Sequence, residues 1–298
     1  MAGNQIAAAR DFIYREARLL ERRLFQTLFE AAQPAAVVAV LRSYQNDDGG
    51  FGQALEPDKR APGSQPLDVA FACETLDLID AIDEEAMVRA CDFLYGISGE
   101  AGAVPAVLPT IAEYPRANHW GDGQFPPSLN PTARIAGYLH KHDIRHPWRD
   151  AATRYCLSEI ERAPLDDAHT IREVLYLLES LPDRETAKQL APPVCAALRD
   201  ARFFRADPSH TSYGLTPLAF AASPGSRWRQ VFDDNEIGAH LDRLERDQQA
   251  DGGWTLSWEP PSDAARLEWR GVQTLHALRV LTAYNRIRTW HHTVHAQA

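Results

Sequence analysis

The sequence predicts an all-α fold built from repeated helix pairs. Three observations predict it: a Gly-rich turn that occurs twice at a fixed offset, apolar residues recurring at three and four in segment after segment, and no useful length of strand alternation.

The turn is the most specific of these. Gln45-Asn46-Asp47-Asp48-Gly49-Gly50-Phe51 returns 203 residues later as Gln248-Gln249-Ala250-Asp251-Gly252-Gly253-Trp254, and the copies continue to Glu56-Pro57 and Glu259-Pro260. A glycine suits the left-handed position that ends a helix, and the upstream Gln can bond exposed carbonyls or amides of the next helix. The aromatic residue is expected to pack beneath the turn as a plug.

Between the copies, amphipathic segments alternate with shorter ones rich in Ala and Leu. The amphipathic members are Ala35 to Tyr44, Glu84 to Tyr95, Trp148 to Arg162, Arg184 to Arg199 and Asn235 to Gln248, which read as an outer ring. Their partners are Leu67 to Ile79, Pro131 to His140, Ala168 to Leu181, Ser212 to Ala222 and Gly271 to Tyr284, an inner ring with start signals such as Asn130 before Pro131. Ala7 to Ala31 supplies a sixth inner helix and closes the circle. The expected architecture is therefore a single α/α toroid domain, 1–298, of about five to six helix pairs.

Composition sets the function classes. The 298 residues are 45% hydrophobic and 24% charged, enough for a large core and without low-complexity tracts. A net charge of −10 supplies no basic stripe for a phosphate backbone, so nucleic acid is not an expected partner. No apolar run approaches the ~20 residues of a membrane span, and the N-terminus lacks a secretory core, so a cytoplasmic protein is expected. Cys73, Cys91, Cys156 and Cys195 are widely spaced among apolar helical neighbours, which predicts buried free thiols in a reducing compartment.

The pattern Gln-x-x-x-Gly-x-aromatic after an amphipathic helix resembles the QW repeat of squalene and oxidosqualene cyclases, through Gln45, Gly49, Phe51 and Gln248, Gly252, Trp254. The aromatic residue that the repeat places five positions before the Gln is Val40 in one copy and Arg243 in the other. The resemblance extends to the wider superfamily of terpenoid cyclases and protein prenyltransferases. It implies an isoprenoid or polyene substrate held in a central apolar cavity and transformed by acid-initiated chemistry. A prenyltransferase-type zinc would need a Cys and a His where this chain has Ala70 and Gln273 beside Asp68, and no Cys-His dipeptide of the lanthionine-cyclase kind occurs, so neither metal nor other cofactor is expected.

No Asp-x-Asp-Asp motif is intact. The nearest string ends in Asp166-Asp167, before the Ala168 helix, and these two are the candidate catalytic acids. Adjacent carboxylates in an apolar cavity raise one pKa and keep it protonated; two Asp residues there also serve as an N-cap and a first-turn charge. Trp258 and Trp269 have no aromatic counterpart in the first copy and are candidate substrate-binding residues, able to pack on an isoprenoid or stabilise a cation. His119 and Trp120, with Asp122, and His210 with Tyr213 lie on loops leading to inner helices and join them. Glu56 and Glu259 recur at matching positions and read as loop anchors. His291, His292 and His295 read as a tail. A binding toroid that has lost its acid, and a carbohydrate-active α/α barrel with paired carboxylates, are the rival readings.

Overall fold

The computed structural model describes residues 2–121, 123–162 and 164–287. The chain is 60% helical, and among the described residues no strand forms, only isolated bridges. The α-helices in order are α1 (Ala2–Glu16), α2 (Leu19–Phe29), α3 (Ala35–Arg42), α4 (Pro66–Leu78), α5 (Glu84–Ser98) and α6 (Leu129–Lys141), then α7 (Pro147–Arg162), α8 (Ala168–Ser180), α9 (Arg184–Ala197), α10 (Asp234–Arg246) and α11 (Asp263–Ala283). The chain divides into two compact units, Met1–Val40 with Arg205–Ala298, and Leu41–Phe204.

In the Leu41–Phe204 unit, α6 packs between α4 and α8, while α7 packs on α5 and α6 and α9 packs on α8. Helix α6 is buried almost all round, as a central helix must be, with Ala133, Ile135, Ala136, Tyr138 and Leu139 inaccessible. Gly137 lets α8 approach closely, since a Cβ there would lie 2.8 Å from the Tyr176 ring and 3.0 Å from Leu177 Cα. Trp148 on α7 is fully buried and its indole donates to Ser98 Oγ at 3.1 Å. Asp caps start α5, α8 and α9: Asp83, Asp167 and Asp183 each accept a first-turn amide.

In the other unit, α11 packs on α1, α2 and α10. Asp233 and Ser262 cap α10 and α11.

The structure corrects three sequence expectations. Ser212 to Ala222 is not an α-helix; only a 3-10 turn forms, at Pro217–Ala219. Pro217 has no N–H to give and holds Thr216 in extended backbone, φ −94° and ψ 169°, so the helix cannot start upstream of it. Ala7 to Ala31 is two helices rather than one. Arg18 is extended at the break, where its guanidinium bonds the buried Glu21 and Arg22 Nε takes the Ala17 carbonyl, so side chains satisfy what the interrupted backbone releases. Helix α11 begins at Asp263, eight residues before the expected Gly271.

Candidate functional site

Asp166 and Asp167 sit at the start of α8. Asp166 has a 79% exposed side chain facing Arg202 at 3.4 Å. Asp167 is the N-cap, accepting the amides of His169 at 3.0 Å and Thr170 at 3.2 Å. Burial works to raise its pKa, but the His169 side chain and those amides outweigh burial and hold it below the ordinary carboxylate value. Asp167 is thus ionised near neutral pH, which is the wrong state for a proton donor.

The start of α4 holds a carboxylate with the opposite character, and sequence reasoning assigned it no role. Asp68 is inaccessible, and its Oδ1 accepts both the Lys59 ammonium and the Glu56 amide at 2.7 Å. Lys59, also inaccessible, bonds Glu56 Oε2 at 3.1 Å. Asp68 Oδ2 is buried with no hydrogen bond among the described residues. Burial is the largest influence on Asp68 and, against the pull of Lys59, raises its pKa to about 6. The signal available in sequence was a carboxylate in the first turn of an Ala-rich helix, nine residues after a lysine. A loop lysine ordinarily reads as solvated.

Two predicted residues lie in this neighbourhood. His119 Nε2 is 4.0 Å from Asp58 Oδ2, its ring stands 4.6 Å from that of Trp120, and desolvation lowers its pKa. Trp120 packs with Leu67 and Phe125 on the buried cluster Ala61, Val107 and Ile111, and its indole N–H is buried with no acceptor among the described residues. The loop over them is pinned: Gln65 accepts the Leu108 amide at 2.7 Å and donates to Thr110 Oγ1 at 3.1 Å. Asp122 and the three C-terminal histidines lie outside the described residues.

Three further predicted residues converge in the other unit. Tyr213 meets Trp258 at 5.4 Å between ring centroids and 68° between planes, and Trp258 meets Trp269 at 5.3 Å and 80°. Trp258 is the joint of this edge-to-face run, and its indole N–H is buried with no acceptor among the described residues. His210 is exposed and does not join the run; its ring contacts Ser212 and its carbonyl accepts from Arg243.

Charged side chains of α4, α6 and α8 meet in a quartet. Arg134 pairs with Glu173 and lies 3.5 Å from Glu74, while Arg172 pairs with Glu74 at 3.1 Å and Glu173 at 2.6 Å. The Arg134 guanidinium stacks 4.0 Å over the Tyr176 ring. Desolvation works to depress both guanidiniums, and the two carboxylates reverse it and raise them. The signal available in sequence was the adjacent Arg172-Glu173 pair within the Ala168 to Leu181 segment.

All four cysteines are free, and burial raises the thiol pKa of each, with Cys91 pushed up to about 12. Among the described residues no group of three or more His, Cys, Asp or Glu is placed to hold a metal ion, and no helix is long and apolar enough to cross a membrane. A surface recess of about 710 Å³ lined by Tyr95, Arg145, His146 and Arg154 contains none of the groups above.

No family model matches the chain, and no curated protein matches it. A crystal structure of a protein from Actinoplanes is similar in fold, with a TM-score of 0.58 and 19% identity over 95% of this chain and 100% of that one.

Proposed function

We propose that the chain is an α/α toroid that binds an apolar, isoprenoid-like molecule bearing one oxygen acceptor, and that it does so without acid-initiated cyclisation through Asp166 or Asp167. The convergence of Tyr213, Trp258 and Trp269 into one aromatic run carries this reading. Aromatic walls suit a polyene chain, and the unbonded Trp258 N–H supplies one donor for a hydroxyl oxygen. Neither member of the predicted pair is placed as a buried acid, because Asp166 faces solvent and Asp167 is engaged in capping.

Calorimetric titration with geraniol, and with the hydrocarbon myrcene as a control, tests it. Geraniol should bind more tightly than myrcene, and Trp258→Ala or Trp269→Ala should weaken it by about tenfold or more, the equivalent of ~1.4 kcal/mol. Asp166→Asn and Asp167→Asn should bind normally. Absence of binding by geraniol or its longer homologues, or undiminished binding by Trp258→Ala protein that remains folded, rejects the reading.

One observation favours the cyclase-like enzyme as a second reading: Asp68 begins an inner helix, is buried and is protonated well above the ordinary carboxylate range. Product formation from a polyene that is lost in Asp68→Asn and kept in Asp167→Asn would establish it, since loss of a general acid typically costs a factor of ~100 to 10,000.

A further inference from the structure

We propose that the face shared by α4, α6 and α8 is a binding site for an α-amino acid, with the ligand carboxylate on Arg172 and its ammonium on Glu74. The proposal does not rest on the aromatic run. It rests on how the quartet is layered and on which of its hydrogen-bonding groups are filled.

Two members are fixed behind the others. Arg134 and Glu173 keep only 11% and 3% of their side chains accessible and are bonded to each other, whereas Arg172 and Glu74 keep 32% and 34%. Glu173 holds the front guanidinium by accepting both Arg172 Nε at 2.8 Å and Nη2 at 2.6 Å, so its plane is set before any ligand arrives. Glu74 is placed through Oε1, which takes Arg172 Nη2 at 3.1 Å and faces Arg134 Nε at 3.5 Å.

The opposite edges are unfilled. Among the described residues Arg172 Nη1 and Glu74 Oε2 have no hydrogen bond, and these two edges stand beside each other because Nη2 and Oε1 are joined. Arg172 and Glu74 keep 32% and 34% of their side chains open to solvent, so a ligand can reach both edges.

Charge decides the ligand class. Two guanidiniums and two carboxylates sum to zero, so a lone anion meets a carboxylate and a lone cation meets a guanidinium. A molecule carrying both charges one carbon apart matches a cation edge directly adjoining an anion edge. That is an α-amino acid, whose carboxylate takes the open Arg172 Nη1 while Nε and Nη2 stay on Glu173 and Glu74.

Isothermal titration of the full chain with the twenty L-amino acids, then of the tightest binder against its decarboxylated amine and its deaminated acid, tests the site. The amino acid should bind at least about tenfold more tightly than either single-charge analogue. Arg172→Gln and Glu74→Gln should each weaken it by a similar factor. Glu74→Gln should in addition bind the deaminated acid as well as the amino acid, a change of selectivity that mere loosening of the helices would not produce. Should Arg172→Gln fail to fold, Arg172→Lys keeps the charge, removes the second donor edge and should still lose affinity. Three outcomes overturn the proposal and leave the quartet a fastening only: no heat from any amino acid at millimolar concentration, equal binding of the single-charge analogues, or unchanged affinity in folded Glu74→Gln and Arg172→Lys.

Discussion

The two copies of the Gly-rich turn are one structure leading into two different ones. Gln45 Nε2 donates to the Gly49 carbonyl at 2.8 Å and Gln248 Nε2 to that of Gly252 at 2.9 Å. Each Gln also reaches a carbonyl on another helix, Ala86 of α5 or Gln5 of α1. Asp48 and Asp251 accept the amides of Gly50 and Gly253, and Phe51 and Trp254 are buried beneath. Beyond the Glu-Pro pair the likeness ends. In the first copy Glu56 is buried on Lys59, and α4 does not begin until Pro66. In the second, Glu259 is 80% exposed on Arg266, and α11 has already begun at Asp263. At the common offset, Lys59 and Asp68 correspond to Ser262 and Gly271. Pro62, Gly63 and Pro66 keep the first loop out of a helix, so a buried ammonium must anchor it; Asp263 to Trp269 contain no Pro or Gly, Ser262 caps them, and the helix forms unaided. The turn is a structural device common to both copies, and the copies differ in the loops and helices beyond it.

The sharpest way to break this comparison is to remove the anchor. Lys59→Met leaves Asp68 and Glu56 buried together without their cation and should destabilise the protein by about 3–5 kcal/mol in urea unfolding. Arg266→Met, at the matching loop of the second copy, should leave the unfolding midpoint unchanged because that pair is open to water. Equal effects would mean that the buried trio anchors nothing.

The trio also has a pH signature. Folding raises the Asp68 pKa from its ordinary 3.8 to about 6, so between those values the native state holds a proton that the unfolded chain has released. Asp68 therefore favours folding at low pH, and that contribution is lost as pH rises through about 6. The stability difference between the parent and Asp68→Asn should fall across this window by up to about 3 kcal/mol, at 1.36 kcal/mol per pKa unit. A difference flat from pH 4 to 6 would place the carboxylate in its ordinary range. The second copy has no group to show this, since Gly271 stands there.

The turn itself should respond alike in both copies. Gly49 has φ +87° and a Cβ there would lie 2.4 Å from the Arg89 carbonyl oxygen; Gly252 has φ +95° and a Cβ would lie 2.0 Å from that of Ala8. Gly49→Ala and Gly252→Ala should each lower stability by roughly 1–3 kcal/mol in thermal or urea unfolding, strain and close approach acting together. A tolerated substitution in one copy alone would show that the turns are not equivalent.

Legibility in the sequence tracks the range of the forces involved. The turns, with a glycine, a Gln and an aromatic plug at fixed positions, are decided within a few residues and were read from them. Most helices carry their own apolar period. The break at Arg18 and the absent helix at Ser212 to Ala222 depend on Glu21 burial and on one proline's missing N–H, which periodicity does not register. Of the candidate site, Tyr213, Trp258 and Trp269 meet, whereas Asp167 has the cap role that the same sequence allowed and Asp166 faces Arg202 in solvent. The Lys59–Asp68 pair and the Arg134–Glu173 pair went unseen because burial of a charge is settled by partners nine and thirty-nine residues away, and no local pattern marks it.

The smallest expected effect concerns the plug, where Phe51 and Trp254 differ although both are buried. The Trp254 indole donates to the Leu244 carbonyl at 2.8 Å, in the last turn of α10, where carbonyls have no partner within the helix. The matching carbonyl in the first copy is that of Leu41, which already accepts the Tyr44 amide at 3.0 Å. A plug without a donor therefore suffices in the first copy and not in the second. Trp254→Phe should lose about 1 kcal/mol for the hydrogen bond, with lost volume adding to it. Replacing Trp254 by a benzothiophene analogue keeps the ring volume and removes only the N–H, so it should lose the hydrogen-bond share alone. If that analogue unfolds at the parent's urea midpoint, the indole is a plug like Phe51, and the difference between the two copies at this position is one of size.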